Sequence, residues 1–352
     1  MSLSQLDSLR AHVATRPAPG GVAASVASVA SGSAGGAAAA GRGAQVVVVG
    51  SGRGGAGTSV LAALLALAAA GAGRRVLLVD ADEHVGPHRF LLGVAPAHAL
   101  GDLRHGLPLD ALAVPVSATL SLVPGGPGMA GAAAGDSADA PPIPPAERRA
   151  LLRRVTSLHA GHDVVVVDGG SRLDTVSACV EAALPTAAAA DAAGNPGVRL
   201  LVVSGADPIA LAASYALVKA VTQRAPAVTP LVLANRLDDD AAAHALAQLD
   251  QATRHFLDRP LTLAGAVPDD GCLDVALRAG MLLHDAAAGS PAALAIQPIA
   301  ERLFDRFDPT AGRGRAPFPF SPARDRPDAR DPRPAGVRPA SSIAALSYGI
   351  AR

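Results

Sequence analysis

Arg53-Gly54-Gly55-Ala56-Gly57-Thr58-Ser59 lies between an unbroken valine run, Val46 to Val49, and a long Ala/Leu segment. A buried strand that passes through glycines into a helix points successive backbone N–H groups, and the positive helix end, at one spot where a phosphate can sit. Three readings fit these residues. In the first, Gly50-x-Gly52-x-x-Gly55 is a dinucleotide fingerprint, with Asp80 at the end of the next strand as the ribose-binding acid. In the second, Gly52 to Ser59 is a phosphate-binding P-loop: Ser59 offers its hydroxyl to Mg²⁺, and Thr58 replaces the lysine that reaches the β- and γ-phosphates. In the third the glycines make only a tight turn, although backbone exposed in this way is normally covered by a ligand.

Acids further along the chain favour the P-loop. Asp80-Ala81-Asp82 ends a strand-like run, and two carboxylates one residue apart face the same side of an extended segment. Asp163-Val-Val-Val-Val-Asp168-Gly169-Gly170 then places an acid at the carboxyl end of a buried strand. Phosphoryl transfer uses such acids to hold Mg²⁺ through water and to orient the attacking water. A dehydrogenase has no use for the second set.

These residues need a rigid frame, and the rest of the chain supplies one. Half of the 352 residues are apolar, enough for a large core. Strand-like runs at 45–49, 75–79, 119–123, 163–167, 199–203, 230–234 and 262–266 alternate with Ala/Leu-rich stretches. That alternation predicts an α/β fold with a doubly wound, mostly parallel sheet of about seven to eight strands, covered on both faces. Residues 1–43 read as a short amphipathic segment followed by an Ala/Gly/Ser linker, 44–308 as the α/β domain, and 309–352 as a disordered Pro/Arg-rich tail. Residues 124–146 read as a loop insertion ahead of a helix that starts near Ala146. The formal charge is zero and the arginines of the tail alternate with acids and prolines, so nucleic acid is not an expected partner. Residues 1–20 lack the apolar stretch of a signal peptide, and Val60 to Ala72 is too short to span a bilayer. Cys179 and Cys272 show no metal spacing and read as reduced core thiols.

On these motifs the chain resembles the MinD/ParA-type deviant-Walker ATPases, whose loop is written KGGxGKT[ST]. Within that group it is most similar to the FlhG/FleN flagellar-number regulators. Their DADxGxANxDxLLG segment is echoed by Asp80-Ala81-Asp82 through Leu91-Leu92-Gly93, and their "PEP…DAYALIK" stretch by Asp207-Pro208 and Ser214-Tyr215-Ala216-Leu217-Val218-Lys219. Their "vNR" is echoed by Ala234-Asn235-Arg236, their "G.IP.D" loop by Gly265-Ala266-Val267-Pro268-Asp269-Asp270, and their amino-terminal DQAxxLR motif in part by Ser4 to Arg10. The resemblance spans about residues 44–306 and implies an ATP- and Mg²⁺-dependent switch that forms a homodimer. Gly52, Gly54, Gly55, Ala56, Gly57 and Thr58 would cradle the phosphates. Ser59 and Asp168 would hold Mg²⁺, Asp82 would face the attacking water, and Asn235 and Pro268 would form the base pocket. Arg53 would replace the lysine that reaches the partner's nucleotide. The resemblance also implies contact with a signal-recognition-type GTPase through residues 3–13, and with flagellar or polar assembly proteins. It implies a cytoplasmic protein, peripheral at most at the inner face of the cell membrane. The short apolar end, Ile343 to Ile350, offers only weak membrane contact.

Two departures bear on activity. Arg53 keeps the charge of the lysine it replaces, but with a different shape. Thr58 removes a charge outright, a loss of about 2–4 kcal/mol if it matches deletion of one preorganised donor. Gly169-Gly170-Ser171-Arg172 also replaces the family's DTxxG ending. Slow or no hydrolysis is expected. A scaffold that ignores nucleotide and an accessory ATPase of cellulose or pilus assembly stay open beside the switch, as does a dinucleotide enzyme. Among the remaining polar residues, His84 and His88 read as a solvated loop rather than a metal pair, because Pro87 interrupts any helix between them. Asp238-Asp239-Asp240 reads as a helix amino-terminal cap.

Overall fold

The computed structural model describes residues 44–82, 84–108, 111–126, 144–156, 161–184 and 198–304. The amino-terminal segment with its linker, most of the 124–146 insertion and the 309–352 tail lie outside these residues.

Valine-rich runs form the centre of the sheet because β-branched side chains suit a surface that is packed on both faces. The strands are β1 (Gln45–Ser51), β2 (Val76–Asp80), β3 (Val114–Pro115), β4 (Leu120–Val123), β5 (Val164–Asp168), β6 (Val198–Ser204), β7 (Thr229–Asn235) and β8 (Thr262–Val267). Their order across the sheet is β3-β4-β2-β5-β1-β6-β7-β8. Every pairing is parallel except β3 with β4. All seven expected strands are present; the two-residue β3 is an addition that its length hid from periodicity.

Alternation along each strand divides the core in two. Val46 and Val48, Leu77 and Val79, and Val165 and Val167 face one layer. Val47 and Val49, Val76 and Leu78, and Val164 and Val166 face the other. The first layer is closed by α3 (Pro145–Thr156), α4 (Leu173–Ala183), α5 (Pro208–Arg224) and α6 (Asp239–Leu257). The second is closed by α1 (Thr58–Gly71) and α9 (Pro291–Phe304), with the short α2 (His88–Leu91), α7 (Gly271–Arg278) and α8 (Leu283–Ala286) beside them. Gly73, in the left-handed region at φ 82°, turns the chain from α1 back towards β2.

The chain runs outward from β1 to β2 and β4, returns to β5, then leaves β1 on the opposite side through β6 to β8. Open α/β sheets bind ligands outside the carboxyl ends of the strands where this reversal occurs. Gly50-Ser51, Asp80 and Asp168 stand at those ends of β1, β2 and β5. The frame depends on α1, whose Leu65 is fully buried against the sheet. Leu65→Ala should lower unfolding free energy by about 2–5 kcal/mol, measured by urea denaturation; a loss below about 1 kcal/mol would contradict tight packing of this layer.

Candidate functional site

The loop between β1 and α1 has a conformation that needs its glycines. Gly55 and Gly57 have φ of 79° and 87°, and Gly57 is the amino-terminal cap of α1 with no side chain bonded to the first N–H groups. A fourteen-residue helix whose start has no side-chain cap turns its first backbone N–H groups towards the loop, an arrangement suited to an anion. Gly52 allows close approach of α5, since a Cβ there would overlap the Ala213 backbone. A Cβ at Gly57 would lie 2.5 Å from Nδ2 of Asn235.

Thr58 is buried and turned under the loop. Its hydroxyl donates to Ser51 Oγ at 2.8 Å, and Ser51 Oγ donates to the Arg53 carbonyl at 2.9 Å. It therefore braces the loop from within, and only its backbone N–H joins the helix start where the lysine of a full P-loop would project. Asn235, at the end of β7, donates from Nδ2 to the Ala56 carbonyl at 2.8 Å. Asn235 pairs with Val267, so Pro268 follows at the same end of the sheet. Arg53 reaches neither. It forms a two-pronged ion pair with Asp207, at 3.1 and 2.9 Å, and Asp207 also caps α5 through Ala210 N. Both partners are more than two-fifths exposed, so this pair is weak and easily exchanged.

The acids end β2 and β5 in register: Asp80 lies opposite Asp168. Asp82, half-buried, accepts from the backbone N–H groups of His84 and Val85 at 2.8 and 3.2 Å and so shapes its own loop. Asp168 accepts from Gly170 N at 2.9 Å and from the Ser59 hydroxyl. Ser59, Asp168 and the loop glycines thus share one end of the sheet.

One residue there departs from expectation. His88 is fully buried, and its Nε2 lies 2.9 Å from Asp168 Oδ2. Its backbone N–H donates to Asp80 Oδ2 at 3.1 Å. The solvated-loop reading holds for His84, which is exposed and lies 3.1 Å from Arg172 Nη1, but not for His88. The reason is the path of the loop. Gly86, at φ 61°, packs against Gly125, and Gly125 and Gly126 press close to Asp80 and Asp82, which folds residues 86–88 inward over the strand ends. Sequence reasoning missed this because the packing partner is a glycine pair forty residues away. The available signal was the Gly86-Pro87-His88 turn so soon after two acids.

Burial raises the Asp80 carboxyl to about 6; the nearby charge of His88 opposes this and that of Asp168 adds to it. Burial also works against an imidazolium at His88, but the hydrogen bond to Asp168 and the charges of Asp80, Asp168 and Asp82 outweigh it and raise its pKa. For Asp168 burial pushes upward, yet the His88 contact, Ser59 and Gly170 N–H hold the carboxyl below its ordinary value.

Two further expectations change or hold. Cys272 is exposed on α7 rather than in the core, whereas Cys179 is buried and its thiol is pushed up by that burial. Asp238 caps α6, accepting from Ala241 N at 2.8 Å. Among the described residues no helix is long and apolar enough to cross a membrane.

An eight-stranded, mostly parallel sheet with a glycine loop at its reversal point has the fold of the MinD/ParA-type P-loop ATPases. MinD of Pyrococcus horikoshii, solved with Mg-ADP, superposes with a TM-score of 0.54 at 17% identity over 74% of this chain and 96% of its own. A ParA family ATPase of Chlorobium tepidum gives 0.53 at 19% identity over 73% and 98%. In sequence the chain is similar to the antiactivator FleN of Pseudomonas aeruginosa, 29% identical over 256 residues, which cover 72% of this chain and 84% of FleN. No protein-family model matches the chain.

The shifts at Asp80 and His88 have the same consequence for stability. A group whose folded pKa is raised stabilises fully below its unfolded value and loses that contribution as pH rises through the folded one. Asp80 should lose its share between 3.8 and about 6, and His88 above 6.5. In metal-free buffer, stability should therefore fall from pH 5 to pH 9, and His88→Gln should flatten the upper part of the curve. Parallel slopes in both proteins, by chemical denaturation, would contradict the buried pair.

Proposed function

We propose that the chain is an ATP-binding regulatory switch of the FleN kind, which hydrolyses ATP slowly or not at all. The observation that carries this reading is the uncapped amino-terminus of α1 behind Gly55 and Gly57, combined with a Thr58 side chain committed to Ser51. Backbone N–H groups from Gly54 to Ser59 would bind phosphate oxygens, and Ser59 with Asp168 would hold the nucleotide's Mg²⁺. That ion would supply neutralising charge at the β- and γ-phosphates. Asn235 and the backbone at Pro268 would meet the adenine while Asn235 keeps its bond to Ala56. Asp82 would orient water, but without the lysine the developing charge lacks its nearest cation, which favours binding over turnover.

Self-association fits the surface around this site. Val85, Phe90, Leu173 and Ile209 are exposed large apolar residues in segments that leave the carboxyl ends of β2, β5 and β6. Arg53 stands among them and can exchange Asp207 for a partner's nucleotide. In this reading the ATP-bound dimer engages an activator or another flagellar or polar assembly protein, in keeping with the antiactivator FleN to which the chain is similar. Residues 3–13 would be the contact for a partner GTPase. A scaffold that ignores nucleotide is the second reading, favoured by the Arg172–His84 contact that ties the segment after β5 to the loop after β2.

Calorimetry of the full chain with ATP, with and without Mg²⁺, separates the two, together with sizing of the same samples. Binding accompanied by a shift to dimer is expected, and Ile209→Asp should keep binding while abolishing the shift. No heat at millimolar ATP would favour the scaffold. Thr58→Lys should tighten ATP by roughly tenfold to a hundredfold, the worth of one charge-assisted hydrogen bond. An unchanged affinity would mean that phosphate does not occupy this loop.

A further inference from the structure

Asp80, His88 and Asp168 offer ligand atoms that all lie within 4.8 Å of one another. The three side chains are 0–1% exposed. With both carboxylates ionised the cluster is at net −1 even when the ring is charged, and an uncompensated charge sealed from water is costly. A divalent ion with a neutral imidazole brings the same cluster to zero.

The carboxylates are already oriented as ligands. Asp80 is fixed by the N–H groups of Asp82 and His88, one on each oxygen, and Asp168 by Gly170 N. Such outer contacts set the direction of a metal-binding carboxylate. Nδ1 of His88 is buried without a hydrogen-bond partner, so the Nε2 contact to Asp168 is the ring's only polar side-chain anchor among the described residues. An ion would take the place of that contact.

We propose that Asp80, His88 and Asp168 bind one divalent first-row transition-metal ion through an oxygen of each carboxylate and Nε2 of His88. The ion displaces the Nε2 proton, which leaves to solvent, and the neutral ring keeps its N–H at Nδ1. A nitrogen ligand selects ions of the manganese-to-zinc series over Mg²⁺, which prefers an all-oxygen octahedron. Three protein ligands leave a position for water, and Asp168 already accepts from the Ser59 hydroxyl. The cluster shares Asp168 with the Mg²⁺ site proposed above, but uptake of the ion needs no nucleotide, so nucleotide-free protein tests it apart from the ATP reading.

The test uses the full chain, nucleotide-free, stripped with chelator and titrated with Co²⁺ in excess Mg²⁺. One Co²⁺ per chain is expected, with a visible ligand-field spectrum and proton release on uptake. His88→Gln keeps a hydrogen-bond donor for Asp168 but removes the imidazole, and should weaken uptake by roughly tenfold or more. His84→Gln should leave it unchanged. Absence of uptake, or uptake indifferent to His88→Gln, overturns the proposal and leaves His88 as an internal counter-ion. Should His88→Gln fail to fold, the wild-type Co²⁺ protein decides by proton NMR. One hyperfine-shifted imidazole N–H line supports the site, and its absence refutes it.

Discussion

Two carboxylates placed side by side at the ends of adjacent parallel strands cannot both be charged and dry unless something positive is held with them. Asp80 and Asp168 are in that position because β2 and β5 are neighbours in register, and their neighbourhood follows from the order of the whole sheet. His88 answers the constraint from the loop that follows β2. Its burial in turn fixes the course of residues 84–88 and requires glycines at 86, 125 and 126, where no side chain would fit or where φ is positive. The loop after β4 is thus tied to the loop after β2 through Asp80 and Asp82.

The glycine-loop side is organised differently. Its positive potential comes from backbone N–H groups and the α1 dipole rather than from a side chain, because Thr58 spends its hydroxyl on Ser51. Thr58 makes the loop rigid where a lysine would make it electropositive. The shape of the loop therefore survives the substitution while its charge does not. Shape and charge are separable here because the left-handed turns at Gly55 and Gly57 depend on no side chain at position 58.

Most of the frame was legible in the sequence because strands buried on both faces announce themselves as valine runs, and helices between them as Ala/Leu stretches. The positions of Ser59, Asp168, Asn235 and Pro268 at one end of the sheet follow from the strands they end or follow. What was not legible depends on contacts between distant loops. His88 looked solvent-facing beside Pro87, and only the glycine pair at 125–126 reveals that it turns inward. Arg53 read as a residue that reaches across an interface; its pairing with Asp207 depends on how closely α5 approaches Gly52, which no local pattern encodes. Cys272 read as a core thiol because it lies far from Cys179 with no metal spacing, yet it is exposed on a short helix.

The cation missing from the loop is not replaced by His88. A charge held between two carboxylates has its field largely cancelled at the distance of a phosphate, so His88 cannot stand in for the absent lysine. Arg53 is the nearest cation with freedom to move, since its exposed pair with Asp207 costs little to break. If Arg53 turned to its own loop, Asp207 would lose a neighbour but keep its role as cap of α5. If it turned to a second copy, phosphate binding in each chain would gain a charge only when both are present. In the switch proposed above, loss of the lysine would therefore couple nucleotide affinity to association more tightly than a complete P-loop would. A chain that binds ATP weakly alone and better as a dimer responds to its own concentration as well as to nucleotide.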